Sequence, residues 1–294
     1  MSRTQWAASV IAGGILLCLV GGVVLAEATV HVARLPVTAS DGDHPPRTVE
    51  VHARDGIFLR GWMFDSPAPT GSCVLVLHGI GGTREYGLGF ARLLLASRYN
   101  VLLPDLRAHG ESGGNLITYG VLEAGDVRQW VDWLIESGKC QRVYGLGESL
   151  GAGIVLQSLA VESRFRAVVA ECAYASLEEI GRDRVAALLP IPAAAGRVAD
   201  VPLIESAMWY VRLRYGVDAR QASPETAVRR TLTPVLLIHG TADAKTPVRH
   251  SREIAAQNPR IVLWEVPGAG HTNAWAAQPV EFPKRVLGWF AAHP

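Results

Sequence analysis

The chain has 294 residues, of which 49% are hydrophobic and 19% are charged, and its formal net charge is +1. This length and composition suit one large α/β domain with a substantial core and a short appendage. The balanced charge, without a basic run, excludes the electrostatic footprint of a nucleic-acid-binding protein.

The first segment is apolar enough to enter a membrane. The 20 residues from Ala7 to Ala26 carry no charge, which matches the hydrocarbon thickness of a bilayer. Arg3 and the terminal amine favour a cytoplasmic N-terminus, so we expect residues 1–30 to form a single-pass anchor with the rest of the chain outside the cytoplasmic membrane. The sequence Ala26-Glu27-Ala28 also resembles a signal cleavage site, and secretion after cleavage is the alternative.

Residues 31–46 are expected to form a tether that leads into a domain over 47–294. After the tether, strand and helix signals alternate. The expected strands cover 48–53, 57–64, 73–77, 101–103, 143–146, 167–170, 235–238 and 261–264, and the expected helices cover about 86–97, 121–136, 152–161, 249–257 and 279–292. The pair Asp55-Gly56 marks a hairpin between the first two strands, and the later strands are the continuous apolar runs of buried parallel strands. The pattern predicts an eight-stranded, mostly parallel sheet with helices on both faces.

The four cysteines are far apart in sequence and lack the spacing of a zinc site. Cys18 lies in the apolar N-terminal segment, and Cys73, Cys140 and Cys172 lie beside predicted strands. Because three cysteines in the soluble part are an odd number, we expect reduced, buried thiols rather than a disulfide framework.

One interval is too long for a simple crossover. About sixty residues separate Cys172 from Thr233, and they include the apolar groups Leu188-Leu189-Pro190-Ile191-Pro192 and Met208-Trp209-Tyr210. An ordinary packed excursion is one interpretation. We favour a helical cap over about 173–233, because its apolar residues need a surface to cover.

The most informative motif is Gly147-Glu148-Ser149-Leu150-Gly151, which follows an apolar strand and precedes a helical run. Small flanking residues let the chain turn sharply from strand to helix and expose the serine hydroxyl, as in a nucleophile elbow. A dinucleotide-binding loop is disfavoured, because leucine stands where its third glycine is required.

An acid and a base follow later strands in the order that the elbow architecture predicts. Asp243 follows the strand that ends at Ile238, and His271 follows the last strand. Because ligand chemistry in an open α/β sheet occurs at the carboxyl ends of the strands, we predict a Ser149-Asp243-His271 triad. Glu171, at another strand end, is a rival for the acid.

The expected oxyanion hole uses two backbone N–H groups, from Leu150 after the nucleophile and from Ile80 in the glycine-rich loop after the third strand. The loop from Asp105 to Ser112 is predicted to be structural and to border the site. A direct substrate contact from Arg107 is the less favoured alternative.

The soluble region from about Val49 to Ala292 resembles the α/β-hydrolase superfamily, and in particular its serine-aminopeptidase-like or prolyl-oligopeptidase-like branch. The resemblance rests on five stretches: Leu77-His78-Gly79-Ile80-Gly81-Gly82, Asp105-Leu106-Arg107-Ala108-His109-Gly110-Glu111-Ser112, Gly147-Glu148-Ser149-Leu150-Gly151-Ala152, Leu237-Ile238-His239-Gly240-Thr241-Ala242-Asp243 and Pro267-Gly268-Ala269-Gly270-His271. Members of the superfamily include esterases, thioesterases and peptidases, so fold alone does not settle the substrate.

These observations favour a serine hydrolase that cleaves small-molecule carboxylic esters and needs no metal or organic cofactor. A peptidase using the same triad is the alternative, and a membrane-anchored, non-catalytic binding protein is the alternative of another class. We expect Trp209 of the cap to line an acyl pocket above Ser149. A chain starting near Thr48 is expected to be soluble and active on small esters.

Overall fold

The computed structural model of the protein describes residues 2–38, 45–188 and 201–294. Eight strands form one sheet, and their bounds are β1 Arg47–His52, β2 Phe58–Phe64, β3 Ser72–Leu77, β4 Asn100–Pro104, β5 Arg142–Glu148, β6 Phe165–Glu171, β7 Val235–Gly240 and β8 Ile261–Val266. The α-helices of the described residues are α1 Arg3–Val30, α2 Leu88–Ala96, α3 Glu123–Glu136, α4 Leu150–Ser158, α5 Leu177–Leu188, α6 Val201–Tyr215, α7 Pro224–Ala227, α8 Arg249–Ala255, α9 Ala274–Ala277 and α10 Glu281–Ala291.

The sheet has the strand order β1-β2-β4-β3-β5-β6-β7-β8. β2 is antiparallel to β1 and to β4, and the other neighbours are parallel, so the predicted hairpin and the predicted eight-stranded, mostly parallel sheet are confirmed. Every residue of β3, β4 and β7 is buried, because helices cover both faces of the sheet. The parallel strands therefore bring their carboxyl ends to one edge.

One sequence prediction about the cysteines is wrong. Cys73 in β3 and Cys140 just before β5 form a disulfide, with their Cα atoms 5.8 Å apart and their positions 67 apart in sequence. The pairing arises because β3 and β5 are neighbours, and Cys73 is in register with Val143. The prediction of a free, buried thiol is confirmed for Cys172, and Cys18 in α1 is also free.

The long interval after β6 is helical in its described part, where α5, α6 and α7 lie. Its apolar residues Leu189, Pro190, Ile191 and Pro192 fall outside the described residues, as do Asp41 to His44 of the expected tether. That this interval covers the nucleophile stays a prediction.

The N-terminal helix α1 changes its surroundings along its length. Leu17 and Val24 are 74% and 64% exposed, whereas Ala26 and Val30 are 2% and 5% exposed. The buried end of α1 belongs to the same apolar core as Ile204 of α6. In the described part of the chain, α1 is the helix long and apolar enough to cross a membrane.

The chain after α1 also contacts the domain. The Arg34 guanidinium donates hydrogen bonds to the backbone carbonyls of His109, Gly110, Ser112 and Gly114. A few residues later, the Thr38 N–H donates to the Glu85 carboxylate at 2.8 Å. The described part of the expected tether therefore lies against the segments that follow β3 and β4.

Candidate active site

The turn between β5 and α4 presents Ser149 at the carboxyl edge of the sheet. Ser149 has φ +51° and ψ −111°, a conformation that non-glycine residues rarely adopt, and its N–H is held by the Glu171 carbonyl at 2.8 Å. A Cβ on Gly151 would collide with the Leu77 carbonyl, so only glycine lets α4 begin this close to β3. The motif around Ser149 therefore forms the sharp strand-to-helix turn that the sequence predicts, and Ser149 is strained there.

The three predicted residues meet in one hydrogen-bonded chain. The Ser149 hydroxyl donates to His271 Nε2 at 2.9 Å, and His271 Nδ1–H donates to Asp243 Oδ2 at 2.7 Å. Asp243 and His271 come from the loops after β7 and β8, so adjacent strands bring together residues that are 28 positions apart in sequence. This arrangement can move a proton from the hydroxyl to the imidazole while the carboxylate stabilises the resulting imidazolium.

The Asp243 carboxylate is held in its ionised form. Burial alone would raise the pKa of Asp243, but hydrogen bonds from His239, His271 and the Thr246 N–H outweigh burial and keep the pKa well below its usual range. The Lys245 N–H donates to the same carboxylate oxygen as Thr246, at 2.8 Å. An ionised acid beside His271 Nδ1 is what the histidine needs in order to act as a base.

The rival acid, Glu171, lies in a different environment. Its carboxylate accepts a hydrogen bond from the Ala274 N–H at 3.0 Å, and no hydrogen bond to His271 is present among the described residues. Burial raises the pKa of Glu171 to about 7, although the bond from Ala274 opposes the shift. The geometry favours Asp243 as the partner of His271.

Glu148 places a second carboxyl group beside the nucleophile. It is in register with Glu171 on the neighbouring strand. Burial and, to a smaller extent, the charge of Glu171 raise the pKa of Glu148 to about 8. Near neutral pH Glu148 is therefore mostly protonated and adds little of the negative charge that would disfavour an oxyanion.

The two predicted oxyanion donors, the backbone N–H groups of Ile80 and Leu150, are near Ser149 and have no hydrogen-bond acceptor among the described residues. A Cβ on Gly79, beside Ile80, would be 3.5 Å from the Ser149 Cβ, which places the loop after β3 against the nucleophile. Across the described residues, neither the Ile80 N–H nor the Leu150 N–H has an acceptor in the protein. Leu150 is the first residue of α4, so its N–H is one of the free donors of a helix N-terminus.

Two histidines that sequence analysis treated only as turn residues fix this loop. His78 Nδ1–H donates to the Gly79 carbonyl at 2.7 Å, and its Nε2 accepts from the Leu106 N–H at 3.1 Å. His109 Nε2 accepts from the Gly81 N–H at 3.1 Å. Burial lowers the pKa of His78 to about 3 and also lowers the pKa of His109, so both rings are neutral and can accept these bonds. The local signals for this role were the position of His78 directly after β3 and that of His109 in the loop that follows β4.

The loop from Asp105 to Ser112 is structural, as the sequence predicts. The Arg107 guanidinium is buried and donates two hydrogen bonds of 2.6 Å to Asp126 and one of 2.9 Å to Asp55. Because its donors are directed at carboxylates, Arg107 does not serve as a substrate contact. Ser112 Oγ closes the loop by donating to the Asp105 carbonyl at 2.7 Å.

The donor atoms of Cys172, His239 and Asp243 lie within 4.8 Å of one another, a spacing that a metal ion could use. Each side chain already has hydrogen-bond partners. His239 donates Nε2–H to the Thr246 carbonyl and accepts at Nδ1 from Ser251, both at 2.7 Å. Burial also raises the pKa of the Cys172 thiol, which disfavours the thiolate that a metal requires. This cluster supports the acid of the triad and does not fit a metal site.

The expected placement of Trp209 in an acyl pocket above Ser149 stays a prediction. Trp209 is 54% exposed on α6, a helix whose other side packs against α1 and α5. Its indole therefore faces away from the buried side of the cap segment. We do not assign Trp209 to the substrate site.

The fold and the strained serine turn define an α/β hydrolase. The chain matches the sequence profile of the alpha/beta hydrolase family over residues 74–285, and it belongs to that family. The uncharacterised protein YqkD of Bacillus subtilis is 29% identical over 192 residues, which cover 64% of this chain and 61% of YqkD, less than two thirds of that relative. The uncharacterised protein YfhR of Escherichia coli is 25% identical over 240 residues, covering 78% of this chain and 74% of YfhR.

Solved structures with this fold include enzymes. The esterase Pf2001 of Pyrococcus furiosus superposes with a TM-score of 0.70 at 25% identity, covering 89% of this chain and 98% of the esterase. A hydrolase from Pseudomonas aeruginosa superposes with a TM-score of 0.60 at 22% identity, covering 83% and 98%, and shows the shared fold alone.

Proposed function

We propose that this protein is a serine hydrolase that cleaves carboxylic esters through an acyl-enzyme intermediate. The observation that carries the proposal is the continuous chain of hydrogen bonds from Ser149 through His271 to Asp243. Its likeness to an esterase supports ester chemistry at this site.

The reaction follows from the positions of the groups. The Ser149 oxygen attacks the ester carbonyl carbon while His271 Nε2 takes the hydroxyl proton, and the Ile80 and Leu150 N–H groups bind the resulting oxyanion. When the tetrahedral intermediate collapses, the alkoxide leaves with the proton from His271. A water molecule then gives a proton to His271 and attacks the acyl carbon, which releases the acid and restores Ser149.

A fluorophosphonate probe tests the nucleophile, because it phosphonylates an activated serine. We expect labelling of the folded wild-type protein at Ser149 and none of Ser149→Ala. The double variant Ser149→Ala/His271→Ala should lose no more ester hydrolysis than either single variant, because the members of a triad act as a unit. Additive losses, or a folded wild type that resists the probe, would contradict the proposal and favour the non-catalytic alternative.

The same assay separates an esterase from a peptidase. Initial rates are measured on p-nitrophenyl esters of increasing acyl length and on aminoacyl anilides at equal concentration. We expect hydrolysis of esters to dominate. A higher kcat/KM on the anilides would assign the triad to a peptidase.

We also propose that α1 stays in the mature protein as a single-pass anchor, with the hydrolase domain outside the cytoplasm. The disulfide between Cys73 and Cys140 supports an oxidising compartment. Retention of α1 is supported by Glu27, which accepts hydrogen bonds from the Tyr210 and Tyr215 hydroxyls at 2.7 and 2.6 Å. Cleavage after Ala28 would remove Glu27 and the buried Ala26.

Mass spectrometry of the mature N-terminus tests the anchor. We expect a mass that includes residues 2–30, and protein that stays with membranes through a carbonate wash, since apolar burial is insensitive to salt and charge. A mature protein that begins near Thr29 would instead mean secretion after signal cleavage.

A further inference from the structure

The packing of α6 on α1 extends into the apolar stretch of α1. Contacts between the two helices progress in the same direction along both. A Cβ on Gly21 would be 2.9 Å from the Leu203 side chain, and one on Gly22 would be 2.9 Å from the Ala207 nitrogen. Further along, Glu27 accepts from Tyr210. The helices are therefore parallel, and the residues of α6 that contact α1 lie 182 to 188 positions after their partners in α1.

This register determines how deeply α6 would lie in a bilayer that α1 spans. The charge-free stretch of α1 ends at Ala26, and the first two turns of α6 lie beside its last third, near Gly21 and Gly22. At a rise of 1.5 Å per residue, Leu203 is roughly 8 Å further into that stretch than Ala26. If α1 spans the bilayer, the first half of α6 is at the depth of the acyl chains.

The contacts between the two helices suit that environment. Gly22 permits the close approach, and the Ser206 hydroxyl donates to the Cys18 and Leu203 carbonyls, each at 2.9 Å. Small residues and polar groups satisfied between helices are typical of packing within membranes. The carboxylate of Glu205 is paired with Arg220, which neutralises its charge.

The outer side of α6 continues the exposed apolar surface of α1. Trp209 and Leu213 are 54% and 77% exposed, one turn apart on the helix. Leu16, Leu17 and Val24 of α1 are all more than half exposed. The register places Trp209 beside residues 21–27 of α1, near the end of the charge-free stretch where the hydrocarbon of a bilayer would end, and tryptophan is enriched at that boundary. Arg212, with its partner Asp218 at 3.6 Å, lies on the headgroup side of Trp209.

We propose that the first half of α6 is inserted into the lipid bilayer beside α1, so that lipid acyl chains cover Trp209 and the adjoining outer face of α6. This inference rests on the proposed anchoring of α1. The cap segment is then a second membrane element, and the triad is held at a fixed height above the lipid surface instead of moving on a free tether.

Spin labels test this placement in the full-length protein. Single cysteines are introduced at Leu17, Trp209, Leu213 and Val280 in a Cys18→Ala background, and each labelled protein is placed in phosphatidylcholine and phosphatidylglycerol nanodiscs. Relaxation of the label by oxygen reports lipid, and relaxation by a water-soluble nickel chelate reports water. Val280 is the matched water control, since it is 80% exposed and precedes α10, on the other face of the sheet.

We expect the ratio of oxygen to nickel accessibility to be several-fold higher at Leu17→Cys and Trp209→Cys than at Val280→Cys. Leu213→Cys should give a lower ratio than Trp209→Cys, because the register places it four residues nearer the water. Retained hydrolysis of a short ester shows that each labelled protein is folded.

Two results would overturn the proposal, and they are distinguishable. If Leu17→Cys reports lipid while Trp209→Cys matches Val280→Cys, α1 is anchored and α6 lies outside the bilayer. If Leu17→Cys also reports water, the anchor itself is wrong and the placement of α6 fails with it.

Discussion

The carboxyl edge of the sheet and the layer formed by α1 and α6 are organised by different forces. At the edge, Ser149, Asp243 and His271 are aligned by directional hydrogen bonds and by strands of fixed spacing. In the helical layer, α1 and α6 are held mainly by apolar contact and by a close approach at Gly22. Hydrogen bonds specify partners, whereas apolar burial is non-directional and accepts a protein or a lipid surface. Changes at the edge should therefore affect chemistry, and changes in the layer should affect stability and placement.

The largest expected effect is at the edge. Asp243→Asn should lower kcat/KM on a short ester by about 10⁴-fold, because the amide no longer fixes the productive tautomer of His271. Thermal unfolding of the variant, followed by circular dichroism, should show that the fold is intact. Glu171→Gln is the matched control at a neighbouring strand end, and a greater loss from it than from Asp243→Asn would identify Glu171 as the acid.

The disulfide joins β3, in the centre of the sheet, to the segment just before β5, and its loss should lower the stability of the domain. The double variant Cys73→Ser/Cys140→Ser should unfold with a free energy lower by about 4 kcal/mol, as expected for a cross-link that spans 67 residues. Urea unfolding measures the difference. Cys172→Ser, at a buried free thiol, is the comparison, and an equal loss there would mean that general core damage and not the cross-link is being measured.

The stability of the helical layer should depend on the close approach of α1 and α6. Gly22→Val should lower the free energy of unfolding by about 1–3 kcal/mol, because the added side chain meets the α6 backbone at Ala207. Detergent-solubilised, full-length protein is the sample. Gly13→Val is the matched control in the same helix, since a Cβ there meets nothing within 4 Å. Equal effects of the two substitutions would refute the contact between α1 and α6.

Arg34 connects the two regions, and we expect it to act as a positioning residue. Its guanidinium donates to the carbonyl of His109, whose ring accepts from the Gly81 N–H in the glycine-rich loop after β3. Arg34→Ala should lower kcat and the rate of fluorophosphonate labelling by about tenfold with little change in KM, and Arg34→Lys should recover part of the loss. The exposed Arg54→Ala is the control. A change in KM alone would assign Arg34 a role in substrate binding.

The smallest effect on activity is expected at Glu148. Because its folded pKa of about 8 is raised above the ordinary value of 4.5, its contribution to stability is full below about pH 4.5 and is lost as the pH rises through 8. Glu148→Gln mimics the protonated form, so activity near pH 7 should be almost unchanged. Its Tm should exceed that of the wild type by a margin that grows from pH 5 to pH 9. A margin independent of pH would show that Glu148 is ionised in the folded protein.

The expectation that a chain starting near Thr48 stays soluble now has a structural argument against it. Such a chain lacks Ala26 and Val30, which belong to the apolar core, and it lacks Arg34. Removing α1 would expose the buried side of α6 at Ile204. The interval that was expected to act as a cap thus uses part of its apolar surface against α1.

The sequence by itself determined the features that depend on local rules and chain order. The Asp55-Gly56 hairpin, the buried parallel strands and the glycine-flanked turn at Ser149 follow from backbone conformation and from the period of apolar residues. The meeting of Asp243 and His271 with Ser149 followed because parallel strands end at one edge.

Only the tertiary structure decided the contacts between distant segments. The partner of Cys73, the carbonyl groups held by Arg34 and the packing of α1 on α6 each join residues at least 67 positions apart. An apolar helix has no preferred partner in its sequence, and an arginine or a cysteine gives no sign of which distant group it will meet. Which distant segments meet is decided by the packing of the whole chain, because apolar burial is non-directional and does not specify a partner.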